Sequence, residues 1–168
     1  MSKNLVIVCP FSMLEPFLRR HFGDDTLFLT APGAVLDLED PFTVETVRNL
    51  ASTSSLSSIH VVNDSSCRFI DAAVEGRETP GLQVGRLFSE TFRLTGLGLA
   101  VGLSHAELRV RLAESNVRRQ VQRLMSSSDL GDALSNAGVR VRGMVTSRES
   151  GLITDLNMAV RNKVLHEH

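Results

Sequence analysis

Residues 57–76 read SSIHVVNDSSCRFIDAAVEG, and the fold prediction is built outward from this stretch. Ile59–Val62 carries the β-branched residues Ile59, Val61 and Val62 beside His60 and predicts a buried strand. The polar run Asn63–Ser66 predicts a turn, and Cys67 then opens a predicted helix that extends through Glu75. A strand, a turn and a helix in this order indicate a parallel α/β unit.

A second apolar strand also ends at a cysteine. Leu5–Val8 are consecutive apolar β-formers, which is typical of a strand covered on both faces of a parallel sheet. Pro10 cannot donate a hydrogen bond to a neighbouring strand, so this strand is expected to end near Cys9. The chain has two cysteines, Cys9 and Cys67. Two strand ends that deliver them to one edge of the sheet could build a thiolate site.

The rest of the chain alternates predicted helices with predicted strands. Ser12 is expected to cap the first helix and Asp40 the second, and Ser104–Glu107 has the sequence of a capping box. The pattern predicts one α/β domain over residues 1–168, with a central mostly parallel sheet, flanking helices and an antiparallel strand near the C-terminus. Further helices are predicted over 13–22, 40–50, 87–101, 106–125 and 130–136, further strands over 26–30, 139–145 and 152–156, loops over 52–58 and 76–85, and a helix or tail over 157–168.

The composition is that of an ordinary globular domain. The 168 residues are 42% hydrophobic and 22% charged, with a net charge of −1, so neither nucleic acid nor a membrane is indicated as a partner. No apolar run approaches the roughly 20 residues that a membrane-spanning helix needs. The start of the chain lacks a signal-peptide pattern, and two cysteines do not make a disulfide framework. A cytoplasmic location is therefore expected.

Five short stretches together resemble the motifs of one enzyme family. They are Cys9–Met13, Thr30–Gly33, Asn63–Arg68, Glu114–Val117 and Gly143–Gly151. In the β-class carbonic anhydrases the first strand ends in Cys-x-Asp-Ser-Arg, the second runs into Arg-Asn-Ala-Gly, and the third ends in Gly-His-x-x-Cys-Gly. A long helix of that family carries Glu-x-Asn-Val, and a late turn reads Gly-x-x-Tyr-Asp-x-x-Thr-Gly. The chain resembles a divergent member of this family over nearly its whole length.

The resemblance implies a zinc site and also shows where this chain departs from it. In the family, two cysteines and a histidine bind zinc, an aspartate orients the metal-bound hydroxide, and an arginine holds that aspartate. Here both cysteines remain, as Cys9 and Cys67, but the histidine position is Asp64. The aspartate position is Phe11 and the arginine position is Met13. The joint loss of an acid and its basic partner indicates a lost activity.

Cys9, Asp64 and Cys67 are nevertheless candidate zinc ligands, because zinc accepts thiolates and carboxylates. A carboxylate in place of a neutral imidazole should leave a metal-bound water less acidic, and Phe11 would place an apolar wall beside it. Other interpretations stay open. Asp64 suits a helix cap, and the cysteines suit small buried apolar residues or a redox-sensitive disulfide. His60, in the middle of a buried strand, is interpreted as a core or interface histidine.

Two functions follow from these alternatives. The first is a carbonic-anhydrase-like protein that is impaired or inactive in CO2 hydration, keeps the fold, forms a homodimer, and binds a small anion such as bicarbonate or a protein in the old cleft. The second is a divergent zinc-dependent carbonic anhydrase, a carbonate dehydratase, that uses Cys9, Asp64 and Cys67. The apolar segment 87–101 is expected to contribute to the contact between subunits.

Overall fold

The computed structural model describes residues 3–53, 55–77, 79 and 81–156. Five strands of this part of the chain form one sheet in the order β2-β1-β3-β4-β5. The first four strands are parallel, and β5 runs antiparallel to β4. The predicted mostly parallel sheet with a late antiparallel strand is therefore confirmed. The strands are β1 (Lys3–Val8), β2 (Leu27–Thr30), β3 (Leu56–Asp64), β4 (Arg140–Ser147) and β5 (Leu152–Asp155).

Helices cover the two faces of the sheet unequally. The helix α1 packs on one face with a small apolar cluster, and α2 to α6 contribute to a much larger cluster on the other. Strand β1 contributes side chains to both clusters. Leu5 and Ile7 belong to the large cluster, and Val6 and Val8 belong to the small one. This alternation explains why the strand is apolar at every position. The helices are α1 (Glu15–Phe22), α2 (Pro41–Thr53), α3 (Arg68–Val74), α4 (Gln83–Leu94), α5 (His105–Ser126) and α6 (Ser128–Asn136).

Two of the predicted helix caps are present. Asp40 accepts hydrogen bonds from the backbone N–H groups of Phe42 and Thr43, at 3.4 and 2.9 Å. Ser104 and Glu107 form the predicted capping box at the start of α5. Both caps satisfy backbone donors that the first helical turn leaves without partners.

The predicted cap of the first helix was wrong. Ser12 does not cap α1, because its hydroxyl donates instead to the carbonyl of Cys9, at 2.6 Å. A short 3-10 turn, Pro10–Ser12, occupies the place where the prediction began the helix. Met13 then takes a left-handed backbone conformation (φ 51°), and α1 begins at Glu15. A local turn that closes on Cys9 has displaced the start of the helix.

The predicted helix over 87–101 was wrong at both ends. Helix α4 begins at Gln83 and ends at Leu94. Gly96 has a left-handed backbone (φ 69°), which stops the helix, and Leu97–Leu99 form a separate 3-10 turn. Gly96 therefore ends the helix well before residue 101.

The loop predicted over 52–58 was also wrong, since α2 extends through Thr53 and β3 already begins at Leu56. Asn63 and Asp64, which were assigned to a turn, are the last residues of β3. They pair with β4, where Asp64 lies opposite Thr146. The segment predicted as a helix or tail, 157–168, lies outside the described residues.

No helix in the part of the chain that the structure describes is both long enough and apolar enough to cross a membrane.

Candidate functional site

The two cysteines meet at the carboxyl edge of the sheet. Strands β1 and β3 are neighbours, and the chain leaves β1 toward β2 on one side before it returns to β3 on the other. A crevice at such a change of direction is the usual ligand site of an open α/β sheet. Cys9 follows β1 and Cys67 follows β3, and both side chains are buried (1% and 2% exposed).

Each cysteine is held by backbone hydrogen bonds of its own turn. The carbonyl of Cys9 accepts from the N–H of Ser12 at 3.1 Å. Cys67 is the N-cap residue of α3, and its N–H donates to the carbonyl of Asp64 at 3.0 Å. Its own carbonyl accepts from the first turn of the helix, from Ile70 and Asp71. The two thiols are therefore presented by tight turns and not by mobile loops.

The two thiols have pKa values that are shifted in opposite directions. A hydrogen bond with Cys67 is the largest cause that lowers the pKa of Cys9, to about 6. Burial opposes this change, and backbone N–H groups of Gly33, Phe11 and Ser12 support it. The same contact raises the pKa of Cys67, together with burial and the charge on Cys9. The contact therefore favours the thiolate form of Cys9 and the thiol form of Cys67.

The turn after β2 supplies one of the N–H groups at Cys9. Gly33 in this turn has a left-handed backbone (φ 65°), and a Cβ there would lie 2.6 Å from Phe88 and 2.8 Å from Val84. Only glycine fits this position without displacing those side chains. The carbonyl of Gly33 accepts hydrogen bonds from the side-chain amides of Asn63 and Asn116, at 3.2 and 3.0 Å.

Asn63 and Asn116 also join the long helix α5 to the sheet. The Nδ2 atom of Asn116 donates to Oδ1 of Asn63 at 2.7 Å, and both residues are buried. Gln120, one turn further along α5, donates to Oδ1 of Asn116 at 3.3 Å. The network fixes the position of the Gly33 turn and so of the N–H group beside Cys9. Asn116 lies within the Glu114–Val117 motif, but the predicted turn over Asn63–Ser66 gives no sign that Asn63 contacts it.

The family's aspartate and arginine positions hold exposed apolar side chains. Phe11 is 51% exposed and Met13 is 73% exposed. The ring of Phe11 packs edge-on against Phe69, with 5.8 Å between centroids, and the guanidinium of Arg68 lies 5.0 Å from the centre of the Phe11 ring. None of these groups offers an acceptor that could orient a metal-bound hydroxide.

Asp64 is engaged elsewhere. Its Oδ2 atom accepts hydrogen bonds from the hydroxyl of Thr146 at 2.7 Å and from the backbone N–H of Arg148 at 3.1 Å. Its Oδ1 atom accepts from the backbone N–H of Ser66 at 2.8 Å. The carboxylate therefore ties the end of β3 to the turn between β4 and β5, and it also stabilises its own turn.

Strand parity separates Asp64 from the cysteines. Side chains alternate between the two faces along a strand, and Val62 belongs to the small cluster beneath α1. Asp64, two residues later, faces the same side, whereas Cys9 and Cys67 belong to the large cluster on the other side. Thr146, its partner on β4, lies within the Gly143–Gly151 motif. Its hydrogen bond to Asp64 follows from its position opposite Asp64 in the pairing of β3 with β4, which no local sequence pattern indicates.

The side chains at this edge do not fit a three-ligand zinc site. Catalytic zinc is held by three protein ligands and one water. Within residues 3–53, 55–77, 79 and 81–156, no three His, Cys, Asp or Glu side chains lie close enough together to hold a metal ion. The structure brings together the two cysteines of the candidate set and directs Asp64 to other partners.

His60 is buried on the sheet face opposite the two thiols, which agrees with its interpretation as a core or interface histidine. Its Nε2 atom lies 2.9 Å from the hydroxyl of Ser58, and its ring lies 4.4 Å from that of Phe22. Burial, and secondarily the charge of Arg142, lower the pKa of His60 to about 4. It is therefore neutral at physiological pH.

Comparison with known proteins finds matches among solved structures and none by sequence. No family model matches the sequence, and no curated protein matches it. The β-carbonic anhydrase CafA of Aspergillus fumigatus has a TM-score of 0.78 at 20% identity, over 93% of this chain and 76% of that one. A tetrameric β-carbonic anhydrase of Sordaria macrospora has a TM-score of 0.78 at 17% identity, over 94% and 81%.

A third neighbour is the Coccomyxa β-carbonic anhydrase in complex with acetazolamide, with a TM-score of 0.72 at 19% identity over 92% of this chain and 72% of that one. At these identities the likeness establishes the fold. The resemblance inferred from five short motifs is thereby confirmed at the level of structure. The chain has the β-carbonic anhydrase fold, in a divergent form.

Proposed function

We propose that this chain is a carbonic-anhydrase-like protein that keeps the fold and is impaired or inactive in CO2 hydration. The observation that carries the proposal is the set of hydrogen bonds that engages Asp64, the residue at the position of the family's third ligand. Its carboxylate accepts three hydrogen bonds and lies on the sheet face opposite the two thiols. Using it as a ligand would leave the buried Thr146 hydroxyl without this acceptor.

The replacements at the hydroxide-orienting positions support the same conclusion. Phe11 and Met13 are both exposed and apolar, so neither can accept a proton or hold a water molecule. A polarised water without a group to orient it loses much of the benefit of general acid–base and electrostatic catalysis. The two departures are independent, since one concerns the ligand set and the other the groups around it.

Stopped-flow measurement of CO2 hydration tests the proposal. The full chain, without an affinity tag, is assayed after incubation with zinc and again after treatment with a chelator, beside an active β-carbonic anhydrase. We expect a rate close to that of buffer in both samples and far below that of the active enzyme. A rate well above buffer that the chelator abolishes would overturn the proposal.

The alternative is a zinc-dependent carbonate dehydratase with Cys9, Asp64 and Cys67 as ligands. The thiolate character of Cys9 favours it, because thiolates are good zinc ligands. It requires Asp64 to leave Thr146 and Arg148 and to turn toward the thiols. The chelator-sensitive rate that would overturn the first proposal is the result that this alternative expects.

The remaining partners belong to the proposal as well. Self-association follows by analogy with the tetrameric Sordaria macrospora enzyme, and the exposed apolar residues Leu94, Leu99 and Val101 support a subunit contact near the end of α4. We place the homodimer in the cytoplasm, where a reducing environment keeps both thiols free. Binding of a small anion such as bicarbonate in the crevice stays a prediction.

A further inference from the structure

A polar cleft lies on the sheet face that carries α1, opposite the face of the two thiols. Side chains alternate along a strand, so the even-numbered residues of β1, β3 and β4 share the face of the small apolar cluster. The cleft lies beside this cluster, toward the amino ends of the strands, and has a volume of about 410 Å³. Its lining includes polar side chains from three strands, namely Asn4, Ser58, His60, Arg140 and Arg142.

The buried histidine of this cleft has one ring nitrogen without a partner. His60 is 5% exposed, and its Nδ1 atom forms no hydrogen bond within the described residues. The Ser58 hydroxyl lies 2.9 Å from the other nitrogen, Nε2, and donates its only proton to Oδ1 of Asn4 at 2.6 Å. It can therefore only accept from Nε2, so the neutral ring carries its N–H there and Nδ1 presents a free lone pair. A buried acceptor without a donor is unfavourable, which points to a ligand that donates a proton.

The charged side chains of the cleft favour an anion. Arg140 and Arg142 lie in register opposite Ser58 and His60, and both line the cleft. Arg140 forms no ion pair in the part of the chain that the structure describes. Arg142 pairs with Asp155 at 3.3 Å, and both of these side chains are exposed. One carboxylate therefore faces two guanidinium groups, whose planar forks are suited to bind the oxygens of an anion.

We propose that this cleft binds a small oxyanion that also carries a hydroxyl group. The anionic oxygens accept from Arg140 and Arg142, and the hydroxyl donates to Nδ1 of His60. A metal ion could also bind a free lone pair, but two guanidinium groups repel a cation. Hydrogen phosphate is the simplest ligand with this chemistry, and a hydroxycarboxylate such as glycolate is its organic counterpart.

Binding requires a small movement at the wall of the cleft. Nδ1 of His60 has almost no exposed surface, so a side chain must shift before a hydroxyl reaches it. Phe22 lines the cleft, and its ring lies 4.4 Å from that of His60, which places it to make this movement. The inference does not rest on the proposed function, because the cleft is separate from the crevice of the two thiols.

Matched anions test the proposal. Hydrogen phosphate and sulfate are both tetrahedral, but only phosphate keeps an O–H at neutral pH. Each is titrated into the isotope-labelled full chain at constant ionic strength, and the NMR signals of the His60 ring are followed. We expect phosphate to bind about tenfold more tightly than sulfate, the ratio that one hydrogen bond provides, and to shift the Nδ1 signal. Glycolate against acetate repeats the comparison, and the pair with the larger ratio identifies an inorganic or an organic ligand.

Variants assign the two contacts. His60→Gln keeps a side-chain amide that can donate as Nε2 does but lacks the Nδ1 acceptor, so phosphate should lose its advantage while sulfate affinity is retained. Arg142→Gln changes an exposed residue and should weaken both anions by about tenfold, the loss of one charge-assisted hydrogen bond. Asp155→Asn should tighten both. Arg86→Gln, which removes the same charge from an exposed position of α4, is the matched control and should change neither.

Three results would overturn the proposal. The first is equal affinity for phosphate and sulfate in the wild type, because water would then serve Nδ1 as well as the ligand does. The second is an equal loss in Arg86→Gln and Arg142→Gln, which would show that the anion responds to net charge alone. The third is the absence of binding by either anion at millimolar concentration.

Discussion

Replacement of Asp64 by alanine separates a structural carboxylate from a metal ligand. The substitution removes the acceptor of three hydrogen bonds, which come from the Thr146 hydroxyl and from the backbone N–H groups of Arg148 and Ser66. Thr146 is fully buried, so its hydroxyl loses its partner without gaining water. The two N–H groups lie in turns and are only partly buried, so water can replace part of what they lose.

The expected cost is about 3 kcal/mol of unfolding free energy. A hydrogen bond to a charged group contributes about 1.5 to 3 kcal/mol, and an orphaned buried donor costs about 1 to 3 kcal/mol. We count the Thr146 contact in full and the two turn contacts in part. Asp64→Asn keeps one oxygen acceptor and should cost roughly half as much. With a urea dependence of about 2 kcal/mol per M, the alanine variant should unfold at about 1.5 M lower urea.

Circular dichroism is the suitable probe, because the chain has no tryptophan and no tyrosine. Urea unfolding is measured at neutral pH in chelator and again with equimolar zinc. Asp71→Ala is the matched control, since the Asp71–Arg109 pair is partly exposed and should contribute less than about 1 kcal/mol. If Asp64→Ala is neutral in chelator and destabilising only with zinc, Asp64 is a metal ligand and the reasoning fails.

Three further predictions concern the thiols, the buried histidine and the assembly. In metal-free protein, thiolate absorbance near 240 nm should titrate with a midpoint of about 6, and the midpoint should rise in Cys67→Ala, which has no side-chain donor at this position; an unchanged midpoint in the variant would contradict the assigned cause. The pKa of His60 is about 4 in the folded protein, below the ordinary 6.5 that applies in the unfolded chain. The unfolded state therefore takes up the proton at a higher pH than the folded state does. The free energy of unfolding should fall as the pH drops from about 6.5 to about 4, by up to about 3 kcal/mol. His60→Gln should lose this pH dependence of the free energy of unfolding, and a variant that keeps it in full would show that other groups cause it. Sedimentation at micromolar concentration should give a dimer or a higher assembly, and a monomer would count against self-association.

The meeting of the two cysteines could be predicted from the sequence because it depends on local patterns. An apolar strand ends next to Cys9, and a second predicted strand is followed by a short polar turn and Cys67; the carboxyl ends of parallel strands share one edge of the sheet. The hydrogen-bond partners of Asp64 could not be predicted in this way. It depends on where β3 ends, and β3 continues two residues beyond its apolar run because it pairs with β4, which lies about 80 residues further along the chain.

The same limit explains the role of Asn63. In a turn its side chain could point in any direction, whereas as a strand residue it must face the side opposite to Asp64. That side carries α5, and Asn116 of this helix binds both Asn63 and the Gly33 carbonyl. Contacts of this kind depend on the packing of distant elements, so a local sequence pattern gives no direct signal for them.

The zinc content of metal-repleted, tag-free protein tests the central claim most directly. The claim is that this sheet edge holds two thiols and, among the residues that the structure describes, no third ligand. After incubation with excess zinc and removal of the unbound metal, the account predicts well below one zinc per chain, with no change when Asp64 is replaced by alanine. One zinc per chain in the wild type, lost both in Asp64→Ala and in Cys9→Ser, would contradict the claim.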